Sequence, residues 1–231
     1  MQRAQTLVTI WGTPVKVEPV FLSNLTMLWV GLTLLGRYLH PERSVWGSAL
    51  LGLSIMVLLL VADLGHAFAH ILSARFAEAP MDEVLISAGM PRTLYFDNDV
   101  PPAAHRKRAL GGPIFSVLGV LLSLLVYILA LSGTLARELS GWSLLGHGLI
   151  LLGSLIPLPI VDGGSILKWT LVERGRRPSH ADEIIRRIDL VIGVLAVIGG
   201  AVLLMMRLWI AGLLVIAGAG IVFGIVWGKI K

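Results

Sequence analysis

The 231-residue chain contains no cysteine, which excludes both disulfide bonds and thiolate metal ligands. Charged residues are also scarce, at 14% of the chain against about a quarter in ordinary soluble domains. Because 56% of the residues are hydrophobic, the composition indicates a polytopic membrane protein surrounded by a lipid bilayer. Any metal ion would then be held by His, Asp or Glu side chains.

Two further features are missing from the sequence. There is no basic stripe with interleaved aromatic residues, so no nucleic-acid partner is expected. The first twenty residues include Arg3, Lys16 and Glu18 and have neither a clean apolar core nor a small-residue cleavage site. A cleavable signal peptide is therefore not predicted.

Long apolar runs predict an all-α polytopic membrane protein with about six transmembrane helices in a single domain, residues 1–231. The expected spans are residues 21–39, 45–72, 109–131, 142–172, 188–206 and 208–227. The fourth span should be broken at 157–162, because Pro157 and Pro159 each remove a backbone donor. Weak alternation in residues 1–20 and β-prone pieces within 73–108 predict a small strand-containing element at the membrane surface.

The distribution of basic residues predicts the topology. The loops 73–108 and 173–187 are rich in Lys and Arg, whereas the loops at the other ends of the spans are not. The positive-inside rule then places both termini in the cytoplasm, and we expect a plasma membrane of the bacterial type. Gly220, Gly224 and Gly228 give the last span a narrow face, which favours close packing within the bundle and leaves a homo-oligomer open.

Two histidines, His66 and His70, lie four residues apart near the end of the second span. On a helix this spacing places both imidazoles on one face, with Asp63 one turn earlier. Ionisable groups are costly inside a membrane, so the cluster predicts a function, although a polar cluster that only joins helices is the alternative. By contrast, His147 is interpreted as an interfacial side chain and His105 as surface charge.

A carboxylate, Asp162, follows the prolines of the broken span and precedes Gly163 and Gly164. His66 and Asp162 each lie about twenty residues into their spans, so at about 1.5 Å per residue we expect them at similar depth. Two imidazoles and one carboxylate form the ligand set of an open, catalytic zinc site. The glycines would leave room beside Asp162 for another backbone or an extended peptide. An aspartate that merely caps the second half of a broken helix remains the alternative.

At these positions the chain resembles the site-2 protease family of intramembrane zinc metalloproteases. The resemblance includes residues 12–17 and the family's H-E-x-x-H, G-P-x-x-N and P-x-P-x-x-x-D-G-G segments, at residues 65–70, 112–116 and 157–164. It implies that His66, His70 and Asp162 are zinc ligands. It also implies that the substrate is a transmembrane segment of another protein, cut near the cytoplasmic face.

The sequence departs from the family pattern at three positions. The family's glutamate falls at Ala67, and its asparagines fall at Ser116 and Ser154. That glutamate is the general base of such sites, and alanine cannot accept a proton. The sequence therefore predicts an intramembrane metallopeptidase that lacks its proton shuttle.

Several explanations of Ala67 remain open. The chain can be a natural pseudoprotease that binds membrane-protein segments, or an enzyme inactivated at one position. Asp63 can also replace the base, although its more ordinary role is to orient a liganding imidazole. A metal-handling or transport protein ranks behind these, because the sequence shows neither internal repeats nor further midplane charges.

Overall fold

The computed structural model describes residues 4–87, 91–96 and 98–228. Within them the chain forms, in order, β1 (Gln5–Ile10), β2 (Thr13–Val17), α1 (Val20–Leu39), α2 (Val45–Phe76), β3 (Glu83–Ile86), β4 (Arg92–Leu94), α3 (Pro102–Leu129), α4 (Leu135–Leu155), α5 (Asp162–Glu173), α6 (Pro178–Met205) and α7 (Trp209–Val226). The elements form two compact units, Met1–Val100 with Leu110–Gly153 and Pro101–Ala109 with Ser154–Lys231.

Five helices of the described residues, namely α1, α2, α3, α6 and α7, are long and apolar enough to cross a membrane. Their outward surfaces are also apolar: Leu118 and Leu122 of α3, for example, are 60% and 63% exposed. Hydrocarbon can cover such a surface, whereas water would leave it as an unusually large apolar patch. The protein is therefore an integral membrane protein, as its composition predicts.

The predicted break in the fourth span is confirmed. The helix α4 ends at Leu155 and α5 begins at Asp162, so the two prolines, Pro157 and Pro159, lie in the loop between them. Three helices extend beyond the predicted spans, since α3, α4 and α6 begin at residues 102, 135 and 178, ahead of spans predicted from about 109, 142 and 188. Each of these helices begins with polar turns, and hydropathy marks only the apolar part that follows.

The predicted strand element is also confirmed. The four strands form one sheet in the order β1-β2-β3-β4, in which β2 and β3 are parallel, with Val15 opposite Val84. The antiparallel β1–β2 hairpin turns at Trp11 and Gly12, which both have positive φ, as two-residue hairpin loops favour. One face of the sheet packs its valines against Ile71 of α2. The sheet is thus attached to the part of α2 that carries the histidines.

Close packing of α6 on α7 depends on glycines other than those predicted. A Cβ on Gly212 would lie 2.8 Å from the carbonyl oxygen of Gly200, so the two backbones approach closely there. By contrast, a Cβ on Gly220 or Gly228 would meet nothing within 4 Å. The expectation of close packing within the bundle is therefore wrong for Gly220 and Gly228.

Candidate metal centre

His66 and His70 face each other one turn apart on α2. Their Nε2 atoms are 3.2 Å apart, and the rings meet edge to face, with centroids 4.9 Å apart. A tetrahedral zinc ion holds two nitrogen ligands about 3.3 Å apart. The two nitrogens therefore already have the spacing of two ligands of one ion.

Ser116 of α3 orients one of these rings. Its Oγ atom lies 2.9 Å from Nδ1 of His66, and the serine is completely buried. When Nε2 of His66 binds a metal, Nδ1 carries the ring proton, and this N–H group donates a hydrogen bond to the Ser116 hydroxyl. The hydrogen bond fixes the tautomer and the orientation of the ring. Asp63, to which the sequence assigned an orienting role, lies one turn before His66 on the same helix.

Glycine residues allow α3 to approach the histidines. A Cβ on Gly112 would lie less than 3.0 Å from Nε2 of both His66 and His70, so a side chain here would fill the space in front of the two nitrogens. A Cβ on the neighbouring Gly111 would overlap the backbone carbonyl of Ala69. The donor atoms, and the cradle that a Cβ would fill, both fit a metal ion.

Ala67 lies beside His66 on α2 and is only 3% exposed. Its methyl group can neither donate nor accept a hydrogen bond, so position 67 holds no group that can carry a proton. The imidazole pair is thus present without the adjacent carboxylate that hydrolytic metal sites of this kind use as a general base.

Asp162 is the first residue of α5, in the second unit, where the helix dipole favours a negatively charged side chain. A Cβ on Gly163 would overlap the carbonyl of Leu155, and a Cβ on Gly164 would overlap the carbonyl of Leu158. The two glycines therefore allow the preceding loop to fold back on the first turn of α5. The backbone that lies against these glycines is the chain's own loop, whereas the sequence predicted room there for another backbone or an extended peptide.

The predicted site residues are distributed over both units. The structure brings together the members of the first unit, which are His66, His70 and Ser116, with Asp63 and Ala67 on the same stretch of α2. The members of the second unit are Asp162, Gly163, Gly164 and the buried Ser154.

His147 of α4 is a residue that the sequence analysis misplaced. It is only 6% exposed, so its interpretation as an interfacial side chain is wrong. Its Nδ1 atom has no hydrogen-bond partner among the described residues, and its ring lies 5.7 Å from that of Phe115. Hydropathy does not indicate the side of a helix on which a residue lies.

His105 was also misplaced, since it is buried rather than part of the surface charge. Its ring stacks on that of Trp169 of α5, with centroids 3.8 Å apart and the planes nearly parallel. The next residue, Arg106, forms an ion pair with Glu173 at the end of the same helix. The start of α3 and α5 are therefore joined within the second unit by a ring stack and an ion pair.

The fold and the histidine pair together define a helical integral membrane protein with a candidate metal centre on its second helix. Among solved structures, the chain is similar to the "Site-2 Protease from Methanocaldococcus jannaschii", with a TM-score of 0.56, 94% of each chain covered and 19% sequence identity. The fold that the resemblance implied is therefore confirmed. No protein-family model matches the chain, and no curated protein matches it.

Proposed function

We propose that this protein is a site-2-protease-like intramembrane metallopeptidase whose zinc ion is held by His66, His70 and Asp162, and whose hydrolytic step is blocked at Ala67. The three side chains offer two imidazole nitrogens and one carboxylate oxygen, a set able to hold a metal ion. The observation that carries the proposal is the 3.2 Å spacing of the two Nε2 atoms beside Gly112.

Each residue of this centre has a distinct task. A bound zinc ion would supply Lewis-acid activation of a peptide carbonyl. His66 and His70 bind through neutral Nε2 atoms, and the hydroxyl of Ser116 holds the ring of His66 by accepting from its Nδ1–H group. With Ala67 the chain supplies no proton acceptor at the position of the family's glutamate, so we expect no deprotonation of water from that position.

The metal is tested first, with the full chain purified in detergent. Elemental analysis should find one zinc ion per chain, and His70→Ala and Asp162→Ala should each abolish its retention. His180→Ala, which removes a half-exposed histidine of α6, is the matched control and should retain zinc. Absence of zinc from the unmodified chain contradicts the proposal, and retention by Asp162→Ala alone removes this carboxylate from the ligand set.

Proteolysis is tested by restoring the missing base. Ala67→Glu should cleave a panel of transmembrane substrates, whereas the unmodified chain and Ala67→Gln, which has the same shape without the base, should not. Zinc content and the thermal unfolding midpoint are measured for all three proteins. A folded, zinc-loaded Ala67→Glu protein that cleaves nothing contradicts a peptidase origin of the site.

A second candidate function is a pseudoprotease that binds transmembrane segments of other proteins and releases them uncut. Ala67 itself favours this function, because it removes hydrolysis without changing either histidine. Photo-crosslinking should then capture transmembrane peptides on the unmodified chain as efficiently as on Ala67→Glu. Failure of the unmodified chain to bind any of them contradicts it.

We also propose that both termini face the cytoplasm of a bacterial-type membrane. This orientation places the basic loops 73–108 and 173–187 in the cytoplasm, as the positive-inside rule favours. The absence of cysteine makes the test clean, since single cysteines can be introduced without background labelling. Ser179→Cys should be labelled from the cytoplasmic side and Ser132→Cys from the opposite side. The reverse pattern contradicts the topology.

A further inference from the structure

An apolar groove of about 600 Å³ lies between α2, α3 and α4, within the first unit. Its walls include Leu53, Val57 and Leu58 of α2, Leu122 and Val126 of α3, and Leu139 of α4. Ligand sites commonly have volumes of about 300–1,000 Å³. Because α2 and α3 are membrane-spanning helices with exposed apolar side chains here, the groove opens towards hydrocarbon.

Four serines also line the groove, yet their hydroxyls offer little to a polar ligand. Ser54 donates to the carbonyl of Leu50, and Ser140 donates to the carbonyl of Arg137. The hydroxyls of Ser123 and Ser143 bond each other at 2.8 Å. Since each hydroxyl already has a partner on the protein, the serines provide space rather than recognition, and the groove suits a hydrocarbon chain.

A positive charge lies next to two of the lining residues, Val126 and Ala136, because the residue that follows Ala136 carries it over the ring of the residue that follows Val126. The guanidinium group of Arg137, which follows the lining residue Ala136, lies 4.4 Å from the centroid of the Tyr127 ring. The neighbouring Glu138 is neutralised by Arg43, through two hydrogen bonds of 3.1 and 2.9 Å. The guanidinium of Arg137 therefore remains as the net charge. One of its nitrogens donates to the carbonyl of Ala130 at 3.2 Å, and its other donors match a phosphate group.

We propose that this groove binds one acyl chain of an anionic phospholipid, with the lipid phosphate held by Arg137. A transmembrane helix of a partner fits less well, because helices that associate in membranes gain from hydrogen bonds between them, and the groove's hydroxyls are already bonded within this chain. An acyl chain needs no such bonds, and the lipid phosphate supplies a full negative charge, whereas a helix C-terminus supplies only a partial one.

The test uses the full chain in detergent, incubated with dioleoyl phosphatidylglycerol or dioleoyl phosphatidylcholine and examined by native mass spectrometry. We expect one retained phosphatidylglycerol per chain, held at least about tenfold more tightly than phosphatidylcholine. Ser54→Phe and Ala136→Phe, which fill the groove from α2 and α4, should each weaken retention about tenfold or more. Val61→Phe, on the exposed face of α2 outside the lining, is the matched control and should leave retention unchanged.

Arg137→Gln separates the two parts of the ligand. It should reduce retention of phosphatidylglycerol to that of phosphatidylcholine while leaving the latter unchanged. Thermal unfolding identifies any variant that fails to fold. If either Ser54→Phe or Ala136→Phe does not fold, the other still tests the groove. The proposal is overturned if Ser54→Phe, Ala136→Phe and Val61→Phe retain lipid equally, or if the groove retains a transmembrane peptide in preference to lipid.

Discussion

The two regions that supply the candidate ligands are built in different ways. His66 and His70 belong to an uninterrupted helix, so their spacing follows from helix geometry alone. Asp162 begins a helix after a break, so its position depends on a loop of irregular backbone. Both regions contain glycines at points of close approach, but Gly112 makes room for side-chain rings and Gly164 makes room for a backbone carbonyl.

Because of this difference, substitutions of the two glycines should affect different properties, metal binding at Gly112 and stability at Gly164. An imidazole ring can turn about its side-chain bonds when a neighbour grows, at the cost of its orientation. A backbone carbonyl in a short loop cannot move without moving the helix that follows. Glycine beside the histidines should therefore matter mainly for the metal, whereas glycine beside Asp162 should matter mainly for stability.

The largest effect is expected for Gly164→Ala. The added methyl group would overlap the carbonyl of Leu158, and the loop and α5 would have to separate. We expect the free energy of unfolding to fall by about 3 kcal/mol, as measured by denaturant unfolding in detergent. Gly153→Ala is the control, because a Cβ there meets nothing within 4 Å. Equal stability of the two variants would remove the distinction between the regions.

A smaller effect on stability, but a complete effect on the metal, is expected for Gly112→Ala. The methyl group would displace the rings of His66 and His70, whose side chains can rotate away. We expect loss of zinc by elemental analysis, with the free energy of unfolding changed by no more than about 1 kcal/mol. Gly148→Ala, in open space on α4, should keep both properties. Full zinc content in Gly112→Ala would mean that the ion lies elsewhere.

Ser116→Ala should weaken the metal without removing it. Loss of the hydroxyl frees the ring of His66 to rotate, and such outer partners typically contribute about 10–100-fold in metal affinity. Competition with a chelator measures the change. Ser123→Ala removes another buried serine of α3 and should leave zinc affinity unaltered. An unchanged affinity in Ser116→Ala would assign the orientation of His66 to another group.

The smallest effect is expected for His147→Leu. The substitution removes a buried Nδ1 atom that has no partner among the described residues, so the free energy of unfolding should rise by about 1 kcal/mol. Zinc content should stay the same, since His147 is not one of the proposed ligands. Loss of zinc in this variant would mean that zinc binding also depends on His147.

The sequence predicted the features that depend on local physics. Apolar length located the five long apolar helices, the missing N–H groups of Pro157 and Pro159 located the break, and the four-residue spacing predicted that His66 and His70 share a helix face. Alternating residues near the N-terminus predicted the β1–β2 hairpin. None of these inferences requires knowledge of how one helix packs on another.

The features that were missed depend on how each helix is rotated about its own axis. The contact of Gly112 with the imidazoles and the burial of His147 are both set by packing between helices. Hydropathy averages over a whole turn and therefore carries no information about that rotation. A glycine next to a proline inside an apolar run was the available indication that α3 approaches another helix there.

The parallel pairing of β2 with β3 has a consequence for biosynthesis. These strands are neighbours in the sheet, with Val15 opposite Val84, yet α1 and α2 lie between them in the chain. The ribosome must therefore release both helices before β3 can pair with β2, whose outer edge is unpaired until then. The β2–β3 pairing therefore requires that the first two helices have been inserted as an antiparallel pair. A nascent chain that stops before Val84 cannot form this pairing.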